Sequence, residues 1–122
     1  MLYDIAHDTM TRETNERRRS IQRRIRESTD DIAALRLEGT PSRDDVERIA
    51  KRLGRKWDKG RGSEPAYKNE WFPHLRTLLI PNKSPLKKGT AHKILSQLEG
   101  DLAAMRSRLE RLGGPIDEEP NA

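Results

Sequence analysis

Two apolar ladders near opposite ends of the chain constrain it more than any other feature. Ile21, Ile25, Ile32 and Leu35 recur in a four-and-three spacing with Ser28 in the gap, and Leu95, Leu98, Leu102, Met105, Leu109 and Leu112 recur at three, four, three, four, three. Such spacing makes a narrow seam on a helix rather than a broad face. It predicts one long helix over 11–38, with Thr9 or Thr11 as its cap and Gly39 in the left-handed position that ends it. It predicts another over 91–112, roughly 33 Å long at 1.5 Å per residue. With only one apolar face, neither helix is stable alone. The simplest solution packs helix 11–38 against the projecting half of the last helix as a coiled-coil-like pair, within one chain or between two as a homodimer.

Little else is available to build a core. Hydrophobic residues make up 32% of the 122 and charged residues 37%, so one small domain with additions is expected. No cysteine is present, which excludes a disulfide framework and a thiolate metal site. No His/Cys/Asp/Glu spacing suggests a metal, no nucleotide-binding glycine loop occurs, and no cofactor is expected. The first residues lack a basic flank followed by an apolar stretch, and no apolar run approaches membrane-spanning length. A soluble, cytoplasmic protein with no membrane partner is the expectation.

Between the ladders the period changes. Ser42 is a natural N-cap with Asp45 three residues on, and Val46, Ile49, Ala50 and Leu53 follow at helical spacing until Gly54, a helix over 42–53. From Arg55 to Pro81, glycines, prolines and aromatics replace that pattern, and three short strands are predicted near 55–60, 65–70 and 75–80. By spacing alone the third is equally a helical turn starting at Pro73. Ser84-Pro85 and Gly89-Thr90 bracket a loop, Thr90 caps the last helix, and Gly113-Gly114-Pro115 ends it. In a chain so poor in large apolar residues, Trp57, Tyr67, Trp71 and Phe72 are read as core, with base stacking as the alternative.

The net charge of +5 is unevenly spread. Residues 42–92 carry thirteen Lys or Arg against six Asp or Glu, whereas residues 113–122 carry only Asp117, Glu118 and Glu119. An electropositive middle attracts polyanions, RNA being the obvious candidate; the plainer reading is a solvated surface. Thr90 at a helix start, with Lys87, Lys88 and Lys93 around it, makes an anion site from backbone N–H groups, helix dipole and side-chain charge, or simply a capped turn. Gly60 and Gly62 let backbone N–H groups approach a phosphate. Arg17-Arg18-Arg19 and Arg23-Arg24-Arg26 form a basic arm that suits RNA phosphate or an ordinary outer helix face.

Three short segments, taken in order and spacing, resemble the HicA family of small RNA-cleaving toxins. They are Gly60-Arg61-Gly62-Ser63-Glu64, Leu78-Leu79-Ile80-Pro81-Asn82-Lys83 and Leu86-Lys87-Lys88-Gly89-Thr90 leading into Ile94-Leu95. The resemblance covers about residues 42–99 and implies a double-stranded-RNA-binding type of fold, which favours a strand before Pro81. It also departs from the family: Glu64 stands where the catalytic His belongs, and Lys83 where a second His often stands. It implies an RNA-binding set of Arg61, Gly62, Ser63, Lys83, Lys87, Lys88, Thr90 and Lys93, with Glu64 at the catalytic position.

Metal-free RNA cleavage wants groups titrating near neutrality to take the 2′-hydroxyl proton and to protonate the leaving oxygen. A glutamate with an ordinary pKa of about 4.3 accepts a proton but returns one poorly. His7 is assigned no role; His74 and His92 read as surface residues, with a relocated catalytic job as the alternative.

The expected fold is α+β: a helix, a three-stranded antiparallel sheet and a helix over 41–100, with an N-terminal helical arm over 1–40 and a helical extension and acidic tail over 101–122. The expected function is binding of structured or double-stranded RNA by a HicA-like toxin relative with reduced or lost cleavage. The alternatives are an active endoribonuclease toxin restrained by an antitoxin protein, and a coiled-coil interaction module.

Overall fold

The chain runs helix, helix, three strands, helix: α1 Leu2–Glu38, α2 Arg43–Arg52, β1 Arg55–Asp58, β2 Ala66–Asn69, β3 Leu78–Leu79 and α3 Lys88–Arg111. The computed structural model describes residues 2–58 and 65–116, with side chains from Arg12 onward. The architecture is α+β, with the three strands forming one antiparallel sheet in the order β1-β2-β3. No helix among the described residues is long and apolar enough to cross a membrane.

α1 starts at Leu2, not at a cap on Thr9 or Thr11. No proline or glycine precedes Gly39, so nothing in the first residues stops helical propagation through the threonines. Its end is as the sequence predicts: Gly39 takes a φ of 84° and its N–H bonds the Leu35 carbonyl.

α2 is capped by Ser42, whose hydroxyl accepts the Asp45 N–H at 3.2 Å, while Asp44 and Asp45 occupy the positive end of the helix dipole. Val46, Ile49 and Ala50 are buried against the rest of the core. Gly54 ends the turn at a φ of 98°, and a Cβ there would meet the Trp71 ring at 2.5 Å. Both the backbone conformation and the lack of space demand glycine.

Arg55 faces Asn69 across the sheet, Trp57 faces Tyr67, and Tyr67 faces Leu78, so these five share one face. The predicted third strand is shorter than 75–80. Leu75 closes a turn onto the Phe72 carbonyl, and the Arg76 and Thr77 carbonyls accept side-chain donors instead of ladder partners. Of the aromatics read as core, Tyr67 and Phe72 are buried, but Trp57 and Trp71 are 55% and 40% exposed. Trp57 sits near the end of an edge strand and Trp71 in the turn after β2, so neither reaches the packed centre.

α1 and α3 pack antiparallel within the chain. Arg36 near the end of α1 bonds Glu99, Thr29 accepts from Arg106 at 3.1 Å, and Arg18 donates to the carbonyls of Gly113, Gly114 and Pro115. Ile32 and Leu35 join Leu95, Leu98, Leu102 and Met105 in one buried cluster with the α2 and sheet residues. Ser28 in the α1 seam is fully buried and its hydroxyl has no partner.

α3 closes with the Gly114 N–H on the Leu109 carbonyl and the Gly113 N–H on that of Glu110, the paired bonds of a Schellman cap. Beyond it, Gln22 and Ile116 exchange two hydrogen bonds of 2.9 Å, tying the segment after the cap to α1.

Candidate nucleic-acid interface

The loop between β3 and α3 is anchored at both ends. The Ile80 N–H bonds the Pro65 carbonyl, and the Leu86 N–H bonds Pro41 while its side chain is buried. Between these anchors, with a cis peptide bond at Ser84-Pro85, the chain stands out from the core. Asn82, Lys83, Lys87 and Thr90 line a cleft of about 460 Å³ with Pro81, Pro85 and Leu86.

Thr90 does not cap α3, and Gly89 is not in the loop. The helix begins at Lys88 with Lys87 in the capping position, because burial of Leu86 fixes the chain direction just before it. Lys87 offers no side-chain cap, so the first-turn N–H groups beside the cleft have no side chain satisfying them in that way. Of the lysines grouped by sequence, only Lys83 and Lys87 line this cleft. Successive helical residues turn by about 100°, which carries Lys88 round to a groove with Leu35, Arg36 and His92. Lys93 lines neither and is exposed on the helix. Arg61, Gly62, Ser63 and Glu64 lie outside the described residues.

The structure sorts the basic middle into two kinds of cation. Arg43, Arg48, Lys51, Arg52, Arg55, Lys56 and Lys68 each face a carboxylate. Among the described residues, Arg76, Lys83, Lys87 and Lys88 face none. Among the described residues, the uncompensated charge of this segment therefore gathers at the turn before β3 and the loop leading into α3, and no described residue in the wall of the cleft is acidic.

One of the paired cations is a structural centre that sequence reasoning missed. Arg55 and Asp101 are both fully buried and joined by two bonds of 2.6 and 2.8 Å. Arg55 also donates to the carbonyls of Tyr67 and Arg76, and Asn69 donates to Leu53 while accepting the Trp71 and Phe72 N–H groups. The group ties β1, β2 and the turn after it to the middle of α3. A signal existed: Asp101 sits beside Leu102 and three residues after Leu98, an acid on a stripe that otherwise reads as apolar.

A second network joins α2 to the sheet. Tyr67 donates its hydroxyl proton to Glu47 and accepts from Arg43 at 2.8 Å, while Lys51 lies 3.3 Å from the same carboxylate. The Tyr67 hydroxyl, then Lys51 and Arg43, hold the Glu47 carboxyl below its usual range against the opposing effect of burial. Burial, and then the neighbouring carboxylate, push the Tyr67 phenol up. With every member bonded to another, the network reads as structural cement.

Neither described histidine lines the lysine cleft. His92 lies 3.1 Å from Arg36, and His74 lies edge-on to Phe72 at 6.4 Å. The basic arm on α1 is divided too: Arg18 grips the end of α3, and Arg24 bonds the Arg52 carbonyl and lies over the Trp71 ring at 5.1 Å. No group of three acids, histidines or cysteines among the described residues is arranged to hold a metal. Comparison with family models, curated proteins and solved structures gives no match.

Proposed function

We propose that this protein binds structured or double-stranded RNA as a HicA-like toxin relative with reduced or lost cleavage. In this reading α2, the sheet and α3 are the α-β-β-β-α unit of a double-stranded-RNA-binding type of fold, braced by a coiled-coil-like pairing of α1 with α3. The observation that carries it is the cleft before α3, where Lys83 and Lys87, both without acidic partners among the described residues, stand beside Thr90 and the open first turn of the helix. Phosphate suits that combination of point charges and backbone donors. Phosphate contacts of this kind position an RNA without reading its sequence.

Cleavage rests on Glu64 in place of histidine, which is why reduced or lost activity is the reading preferred over an active toxin held by an antitoxin. The test is incubation of native protein, Glu64→His and Glu64→Ala with structured RNA under chelator, read for retention and for cleavage. Retention by all three, with cleavage absent or very slow except in Glu64→His, is expected. Robust native cleavage lost in Glu64→Ala would replace this reading with a glutamate-based nuclease, and no retention would end the RNA reading altogether.

A further inference from the structure

A second pocket lies far from the lysine cleft, in the part of the molecule where α1 meets the end of α3. It holds about 250 Å³ and is lined by Arg17, Ser20, Ile21, Arg24, Trp71, Met105 and Arg108. Ile21 and Met105 give it an apolar floor. Three guanidinium groups surround that floor, and none of the described residues in the wall is a carboxylate.

The arginines are not equivalent. Arg24 is held in place, bonded to the Arg52 carbonyl at 3.1 Å and stacked over Trp71, whose ring in turn abuts Gly54. Arg17 and Arg108 have no ion-pair or hydrogen-bond partner among the described residues. The pocket thus combines a fixed cationic and aromatic wall, an apolar floor and two uncommitted forks. Arginine forks match phosphate oxygens in geometry as well as charge. Bases stack on aromatic rings and on guanidinium planes alike.

We propose that this pocket binds one nucleotide unit of single-stranded RNA, its phosphate against Arg17 and Arg108 and its base on the floor beside the Trp71-Arg24 stack. An inorganic anion would leave the apolar floor unused, and a peptide carboxylate brings one charge and no flat apolar body to a site with three cations. The volume is below the roughly 300–1,000 Å³ of typical small-molecule sites, which suits one nucleotide rather than a larger ligand. Thr90 and Arg108 are separated by eighteen helical residues, five full turns and about 27 Å along α3, so the pocket and the lysine cleft mark the two ends of one helix. The inference rests on RNA being the ligand, and it extends binding from a duplex at the cleft to an unpaired strand at the pocket.

The test uses the full chain carrying Trp57→Phe, which leaves Trp71 as the only tryptophan. A ten-nucleotide oligouridylate, uridine monophosphate, a blunt RNA duplex and an acidic peptide of equal charge are titrated while Trp71 fluorescence is followed. Saturable quenching by the oligouridylate, with much weaker binding of the monophosphate, is expected. Adding Arg17→Gln and Arg108→Gln should weaken oligouridylate binding about tenfold and flatten its salt slope by about 0.7, the share of the one phosphate that the two arginines hold. Retention of the blunt duplex should stay unchanged. Because neither arginine holds a partner among the described residues, an unaltered circular dichroism spectrum should accompany the weaker binding.

Four outcomes overturn the inference: no quenching by the oligouridylate, quenching indifferent to the two arginines, equal affinity for the monophosphate, or tighter binding of the acidic peptide. Duplex retention without oligouridylate binding removes this pocket and leaves the lysine cleft standing. Failure of both RNAs removes both.

Discussion

Arg55 and Lys87 are both cations of the same basic segment, yet they do opposite work. Arg55 has a fully buried side chain and spends its donors on Asp101 and two backbone carbonyls, so the surrounding field scarcely sees its charge. Lys87 is exposed in the wall of an open cleft with no acid beside it among the described residues, so its charge is available to a ligand. The lesson is that a local charge excess counts residues, whereas a binding surface depends on which of them lack counter-charges. Among the described residues, most of the basic middle is structural, and the part free to meet a polyanion is a short loop and the turn before it.

The largest expected effect breaks the buried side of this contrast. Asp101→Ala strands a buried guanidinium and should cost about 3–5 kcal/mol in chemical denaturation, while the double change Asp101→Leu with Arg55→Met should recover most of it. A loss below about 1 kcal/mol would mean that the pair does not hold the sheet to α3. Next comes Glu47, a surface-proximal member of the structural set. Its carboxyl titrates lower folded than unfolded, so its contribution is fully present above the unfolded value of about 4.3 and fades as pH falls through the folded one. Glu47→Gln should lower stability by about 1–2 kcal/mol at pH 7. The gap between native and variant should close at acid pH, and a pH-independent gap would place the cost in packing instead.

The exposed side should respond in affinity and not in stability. Lys83→Ala with Lys87→Ala should leave unfolding within about 0.5 kcal/mol of native. RNA retention should weaken about tenfold and the salt slope flatten by about 1.8, at about 0.9 for each phosphate the two lysines neutralise. An unchanged slope would remove the cleft from RNA binding. The smallest effect is expected from Lys88→Ala, under about threefold, because that lysine turns toward the end of α1 and not into the cleft. A reduction as large as that of the cleft pair would mean that the whole helix start binds as one field.

Much of the scaffold is legible in the sequence, and for local reasons. Ser42 and Asp45, the Val46-Ile49-Ala50-Leu53 face and Gly54 carry α2 almost to the residue. The two seams identify α1 and α3 as partners, and Gly39, Gly113 and Gly114 mark where each stops. The starts of α1 and α3 escape sequence reasoning because threonine is only a preference at a cap: with no proline or glycine to stop it, the helix already runs before Thr9, and the buried Leu86 overrides it before Thr90. The ends of the strands are obscured because the Arg76 and Thr77 carbonyls are claimed by Arg55 and Gln97, side chains distant in sequence.

By itself the sequence determined the α+β element order, the Ser42 cap and the glycine stops, the apolar seams and the total charge, since each depends on neighbours within a few residues or on composition. Tertiary structure alone decided that the seams meet within one chain, that Arg55 and Asp101 pair out of water, and that Lys83 and Lys87 share a wall while Lys88 does not. It also decided that Trp71, a residue of the resembling segment, stands beside arginines from α1 and α3 outside it. The physical reason is common to all four. Burial and charge compensation depend on groups brought together from distant parts of the chain, and a linear pattern shows which side chains are present without showing which of them fold against one another.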